Sequence, residues 1–289
     1  MPSTTSTTRN GTERVYFCAN TFALAGWDVI PGTDSTLMVE VPGSYPLNSS
    51  IVLFCDFDGT LTPTDIGTAL LRSYSIGAEL EKALIQGEIS VIEFYQRTCA
   101  AFVPEATPDR IAAFARQIGL RPYVREFFAF CRRIGIDVAI VSDGLDAYIL
   151  PLIEEADLTQ VPIACNLLRW ECGRPQAVFP WAFENCQQNC PSPYPCAACK
   201  RAVLLSWSPP DATVLYVGDG LSDFCPAFYA DIVFASGELA LWCREHGLNF
   251  LPYSSLFDVR RTLEQLLRHR GLSPRYLPQQ RRQRAWVEE

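Results

Sequence analysis

From Ile51 onward the chain alternates between two hydrophobic patterns. Short, nearly continuous apolar runs rich in Val and Ile occur at IVLFC (51–55), DVAIVS (137–142), TVLYVGD (213–219) and DIVFA (231–235), each followed by turn residues. Runs of this length without polar alternation predict strands buried on both faces, as in a parallel sheet. Between them, VREFFAFCRRIG (124–135), LDAYILPLIEEA (145–156) and KRAVLLSW (200–207) are helical stretches. Strands alternating with helices predict an α/β fold with a Rossmann-like parallel sheet core. Three of the strands run into polar clusters, Asp56/Asp58, Ser142/Asp143 and Asp219/Asp223. Those clusters fall at the C-terminal strand ends, where open parallel sheets bind ligands.

Residues 66–118 differ. IGTALLRSYS, GAELEKALIQ, SVIEFYQRTCAAF and PDRIAAFARQIG keep helical periodicity and carry no strand signal. Ser90 and Glu93 form a Ser-x-x-Glu helix start. The expectation is a small helical cap domain inserted into the core, which itself takes 49–65 and 119–268. VPIACNLLRW and QAVFPWAF read as two strands around a Glu-Cys-Gly-Arg-Pro turn. Residues 1–48 open on a Ser/Thr tract and close on VPGSYPLNSS, so they read as a partly disordered extension. Residues 269–289 read as a solvated basic tail; the stretch 268–284 holds six arginines and no acidic residue.

Composition narrows the chemistry. The 289 residues are 48% hydrophobic and 19% charged, enough to bury a sizeable core. A net charge of −8 argues against nucleic acid as the main partner. No apolar stretch is long enough for a membrane span, and the N-terminus lacks a secretory pattern, so a cytosolic place is expected. The 12 cysteines are then expected to be mostly reduced thiols. Histidine occurs only at 246 and 269, which weakens any reading built on a His nucleophile or His metal site. Carboxylates, lysine and backbone amides are left to do the work, and the only lysines are Lys82 and Lys200.

The strongest chemical signal is Asp56-Phe57-Asp58-Gly59-Thr60-Leu61-Thr62, directly after a buried strand. Two carboxylates at that spacing can enter one site, with Asp56 attacking phosphorus and Asp58 passing a proton to the leaving group. Gly59 lets the backbone turn sharply and, with Thr60, brings amides near an anion. Asp219 and Asp223, in Gly218-Asp219-Gly220-Leu221-Ser222-Asp223, add hard oxygen ligands of the kind Mg²⁺ takes. Ser142 and the loop amides at Asp143 can hold phosphate oxygens, and Lys200, at a helix start, can offset their charge.

In this order the four elements resemble the haloacid dehalogenase superfamily of aspartyl phosphatases. DFDGTLT looks like its first motif, the Ser142 strand its second, Lys200 its third and GDGLSD its fourth. The position of the cap resembles the phosphoserine-phosphatase-like branch. VSDGLD, Cys199-Lys200 and GDGLSDFCPA are similar to 2-hydroxy-3-keto-5-methylthiopentenyl-1-phosphate phosphatases and to phosphoethanolamine/phosphocholine phosphatases. The resemblance implies Asp56 as nucleophile, Asp58 as general acid and base, and Mg²⁺ held by Asp56, the Asp58 carbonyl and Asp219, with Asp223 in support. It also implies a phosphoryl group bound by Ser142 and Lys200. Asp65 matches a position that is Glu in phosphoserine phosphatases and contacts substrate there.

The expected activity is therefore hydrolysis of a small-molecule phosphate monoester. A phosphomutase would use the same motifs, and a catalytically idle scaffold is the non-enzyme alternative. Tyr74, Phe94, Tyr95 and Arg97 are candidate cap-side contacts. Cys186, Cys190, Cys196 and Cys199 lie just before Lys200 and read either as a tetrahedral zinc site or as reduced loop and core cysteines. The five-residue middle spacer, three of it proline or serine, favours the second reading.

Overall fold

The computed structural model describes residues 47–182, 196–269 and 271–288. The core is a seven-stranded sheet of β1 (Ile51–Cys55), β2 (Asp137–Leu145), β3 (Ile163–Glu171), β4 (Arg174–Val178), β5 (Thr213–Gly218), β6 (Ile232–Ala235) and β7 (Leu251–Pro252). Their order is β4-β3-β2-β1-β5-β6-β7. All pairs are parallel except the β3–β4 hairpin, which turns at Cys172 and Gly173. The fold is thus α/β and Rossmann-like.

Strand alternation explains the two layers. Leu53, Cys55, Val138, Ile140, Leu215 and Val217 point to one face. They pack there against α5 (Val124–Arg133), α6 (Asp146–Glu155) and α10 (Leu256–Arg268). Val52, Phe54, Ala139, Val141, Val214 and Tyr216 point to the other. That face is covered by α7 (Lys200–Trp207), α8 (Phe224–Ala227) and α9 (Gly237–Glu245). Because both faces are covered, the central strands are apolar throughout, which is why they read so clearly in the sequence.

Between β1 and β2 the chain forms four helices, α1 (Ile66–Tyr74), α2 (Gly77–Ile85), α3 (Val91–Ala100) and α4 (Pro108–Ile118). Their starts are fixed locally: Asp65, Ser90 and Thr107 each accept a hydrogen bond from the third following amide. The inserted helices do not stand apart from the core, since Ile66, Leu70, Phe94 and Ile111 join the same apolar cluster as Leu53 and Phe127. α3 also packs on the β3–β4 hairpin, with Tyr95 edge-on to Phe179 at 6.2 Å.

The C-terminal segment is not a wholly solvated tail. It forms α11 (Tyr276–Glu288), and Arg282 is fully buried. Its guanidinium donates to Tyr229 O at 2.6 Å and Asp231 Oδ2 at 3.0 Å. Asp231, itself 2% exposed, also accepts from Val214 N and Arg275 N, so one carboxylate joins the sheet to the C-terminal helix. Composition hid this because one buried arginine stands among several exposed ones. No described helix is long and apolar enough to cross a membrane.

Removing one partner of a buried pair strands the other charge. Arg282→Ala is therefore expected to lower unfolding free energy by about 3–5 kcal/mol in urea titration. A loss below about 1 kcal/mol, the range of an exposed pair, would show that Arg282 does not anchor the helix.

Candidate active site

The strand order reverses at β1: the chain leaves it toward β2 on one side and later returns to β5 on the other. Asp56 follows β1 and Asp219 follows β5, so the two straddle the switch point. The ladder continues one residue past β1, with Asp56 N donating to Val217 O at 2.9 Å, which fixes the Asp56 backbone.

Asp56, Asp219 and Asp223 bring ligand oxygens within 4.8 Å of one another; among the described residues they are the one such group of metal-ligating side chains. Lys200 enters from the first residue of α7. Its Nζ donates to Asp56 Oδ1 at 2.5 Å and to Asp223 Oδ1 at 2.7 Å, and it is almost wholly buried. Burial alone would favour the neutral amine, but Asp223 and Asp56 hold Lys200 as an ammonium, its pKa above the ordinary range. Asp219 is pushed up to about 6 by burial and then by Asp223. Three carboxyl groups against one ammonium give the cluster a formal charge of two negatives; burial and then Asp223 raise the Asp56 carboxyl, a penalty that a hard divalent cation would offset.

Each carboxylate has a distinct part. Asp223 is fully engaged: Oδ1 accepts from Lys200 Nζ and Tyr216 Oη, and Oδ2 accepts from Asp219 N at 2.9 Å and Gly220 N at 3.0 Å. It therefore orients the lysine and the loop after β5. Asp56 Oδ2 and Asp219 Oδ2 have no donor among the described residues. Asp219 Oδ1 accepts from Thr60 Oγ1 at 2.6 Å, and Tyr253 Oη lies 3.3 Å from that hydroxyl.

Gly59 has φ +78°, and a Cβ there would come within 2.3 Å of Asp219 Oδ2. The turn after Asp58 thus needs glycine both for its backbone and for the close approach of two loops. Arg121, where the chain re-enters the core from α4, donates to Thr62 O and Gly59 O, both at 2.9 Å, and clamps the same turn.

Asp58 faces the start of α1. Its Oδ1 accepts from Ile66 N at 2.8 Å and its Oδ2 from Tyr148 Oη at 2.5 Å. Burial, then Asp65, raises its carboxyl to about 7, with the Tyr148 and Ile66 hydrogen bonds pulling the other way. Ser142 is buried at the same end of β2, and its Oγ accepts from Gly144 N at 3.0 Å. The Asp143 carboxylate accepts from Ala198 N at 2.5 Å. It thus ties the irregular end of β2 beyond Ser142 to the turn that delivers Lys200.

The remaining candidates fall in different places. Asp65 caps α1, accepting from Thr68 N at 2.7 Å and Thr68 Oγ1 at 2.8 Å. The Tyr95 phenol is raised by burial and then by Asp143, Asp65 and Asp58. Tyr74 packs edge-on to Phe114, Phe94 is buried in the core, and Arg97 pairs with Glu93 on the surface. Cys186 and Cys190 lie outside the described residues; Cys199 is buried and Cys196 half-buried. Sequence reasoning missed Tyr148, Tyr216, Tyr253 and Arg121. The first lies in a helix, the second inside a strand and the others in connecting segments, and no motif spacing singles them out.

A seven-residue acid turn after the first strand, a buried lysine bridging Asp56 to Asp223 in the turn beyond β5, and a helical insertion are the elements that the sequence links to phosphoryl transfer. The family model of haloacid dehalogenase-like hydrolases matches residues 53–227. The chain belongs to that family and is a phosphatase within it. It is 30% identical over 222 residues to a 2-hydroxy-3-keto-5-methylthiopentenyl-1-phosphate phosphatase of Brevibacillus brevis, covering 76% of this chain and 98% of the relative. The enzyme of the same name from Geobacillus kaustophilus is 31% identical over 76% of this chain and 98% of its own. A phosphoserine phosphatase solved as a phospho-aspartyl intermediate analogue shares the fold, with TM-score 0.51, 16% identity and coverage of 75% of this chain and 99% of its own.

The left-handed turn at Gly59 gives a direct test. Gly59→Ala is expected to lose at least about 1–2 kcal/mol from backbone strain, read by chemical denaturation. An unchanged midpoint would mean that the turn does not require glycine.

Proposed function

We propose that this protein is a Mg²⁺-dependent phosphatase that hydrolyses a small-molecule phosphate monoester through an aspartyl phosphate on Asp56. The observation that carries the reading is the separation of two carboxyls two residues apart. Asp56 sits in the charged cluster under Lys200, whereas Asp58 is held apart by the start of α1 and by Tyr148. This separation supports a nucleophile's part for Asp56 and an acid's part for Asp58.

Asp56, Asp219 and the Asp58 carbonyl would hold Mg²⁺, with Asp223 supporting them. When bound, the ion supplies charge neutralisation for the approach of an anionic ester to an anionic nucleophile. The other parts belong to the chain itself. Lys200 uses two of its three N–H groups on Asp56 and Asp223, which leaves the third for a phosphoryl oxygen. Ser142 Oγ and the amides that follow it hold further phosphoryl oxygens. The Asp56 carboxylate attacks phosphorus while Asp58 gives its proton to the departing ester oxygen. Asp58, now a carboxylate, takes a proton from the water that opens the acyl phosphate, and Asp56 is restored. A carboxyl near 7 suits both duties at neutral pH.

The relatives named above make 2-hydroxy-3-keto-5-methylthiopentenyl-1-phosphate the first ester to try in a screen of small phosphate esters, in a protein expected in the cytosol. Release of inorganic phosphate from a member of that screen is the expected result; conversion to an isomeric phosphate ester would instead mark a mutase.

Two results follow from the assigned roles. Asp56→Asn keeps the shape and removes the nucleophile, so turnover is expected to vanish with the circular dichroism spectrum unchanged. Near-normal turnover in that variant would rule out covalent catalysis at Asp56. EDTA is expected to abolish activity, Mg²⁺ to restore it, and Ca²⁺ to inhibit, because its looser, higher coordination misplaces the carboxylates. Full turnover in EDTA would contradict the metal requirement.

A further inference from the structure

Tyr148 belongs to none of the four motifs. It lies on α6, is 0% exposed, and packs against Phe57 with ring centroids 6.3 Å apart. A phenylalanine would satisfy that apolar setting, yet the side chain carries a hydroxyl, and a buried phenol needs a partner. The partner is the carboxyl of Asp58, 2.5 Å away.

Three further features show that this contact is built into the fold. A Cβ at Gly144 would lie 1.8 Å from Tyr148 Oη and 2.8 Å from Asp58 Oδ2, and a Cβ at Gly67 would lie 2.8 Å from the same hydroxyl. Neither glycine has a positive φ, so each is required for space and not for its backbone. The other oxygen of Asp58 is held by Ile66 N at 2.8 Å, so the carboxyl is gripped from two sides. One grip comes from the first helix of the insertion and the other from the core.

We propose that Tyr148 is a positioning residue that aims the Asp58 carboxyl at the leaving oxygen of the substrate. The assignment rests on the reading of Asp58 as the proton donor. As the Asp56–phosphorus bond forms and the ester phosphorus–oxygen bond breaks, the Asp58 proton passes to the departing oxygen. The carboxylate left behind accepts the Tyr148 hydrogen bond, which strengthens as its acceptor becomes an anion. Tyr148 keeps its own proton throughout. Without the hydroxyl, one oxygen of Asp58 loses its anchor and the carboxyl is free to rotate away from the leaving group.

The effect depends on how much proton donation the leaving group needs. An alkoxide needs it most, whereas p-nitrophenolate leaves readily without it. The test compares Tyr148→Phe with the unaltered full chain in Mg²⁺. The probes are p-nitrophenyl phosphate and the alkyl phosphate hydrolysed fastest in the screen above. The value of kcat/KM reports all steps through release of the alcohol. It is expected to fall about tenfold to a hundredfold on the alkyl ester, and less than about threefold on the aryl ester. A purely structural role would lower both alike. Equal losses, or no loss on the alkyl ester, overturn the proposal.

Thermal melting checks that the variant is folded. Should it not be, Gly67→Ala, whose Cβ would fall 2.8 Å from the hydroxyl and displace it without removing it, must show the same selective loss, and an equal loss on both esters overturns the proposal. Asp58→Asn, measured alongside, separates the two levels of the claim. Retained alkyl-ester turnover in Asp58→Asn removes the acid assignment itself. An impaired Asp58→Asn beside an unimpaired Tyr148→Phe removes the positioning role alone.

Discussion

Lys200 Nζ lies between Asp56 and Asp223, and much of the site's geometry follows from that bridge. Carboxylates crowded within 4.8 Å at the end of a buried sheet repel one another and have lost most of their water. One ammonium with two short hydrogen bonds compensates part of that charge and fixes the distance between the ends of β1 and β5. The remaining negative charge is kept, because Tyr216 and two backbone amides complete Asp223 and leave oxygens of Asp56 and Asp219 free. A fully neutralised cluster would be more stable alone and would have nothing to offer a cation.

The supporting structure serves to hold this cluster in register. Gly59 lets the turn after Asp58 pass close under Asp219, Thr60 reaches across to the same aspartate, and Arg121 clamps the turn from the far end of the helical insertion. Asp143 ties the Ser142 loop to the turn before Lys200. Each tie joins segments distant in sequence, so the site exists only when the sheet is assembled. The same turn leads into α1, whose first amide holds Asp58. The insertion is therefore hydrogen-bonded to Asp58 as well as packed on the core.

The fold was legible where burial on both faces left a plain mark. IVLFC, DVAIVS, TVLYVGD and DIVFA became β1, β2, β5 and β6, and the turn around Gly173 became a hairpin. β7 escaped because two residues cannot show a period. Arg282 escaped because it stands in a polar stretch whose adjacent residues, Arg281 and Gln283, are not buried, while its partner Asp231 lies 51 residues away. In the site, Asp56, Asp58, Lys200 and Asp219 stood out because their chemistry is carried by residue type at a strand end or helix start. Tyr148, Tyr216 and Tyr253 did not, because an aromatic in an apolar stretch reads as core until its hydroxyl is seen against a carboxylate or a threonine. Asp65 drew notice through the resemblance, and its side chain caps α1, a part its place before the helix makes readable.

The central claim is a covalent bond between phosphorus and the side chain at the end of β1. It is tested most directly by quenching the enzyme in acid during steady-state turnover, digesting it, and locating phosphate by peptide mass spectrometry, with borohydride reduction to mark an acyl phosphate. The account predicts an acyl phosphate on the peptide containing Asp56, confined to that residue and absent without substrate. Phosphate on any other side chain, or a turning-over enzyme that never carries it, would contradict the account.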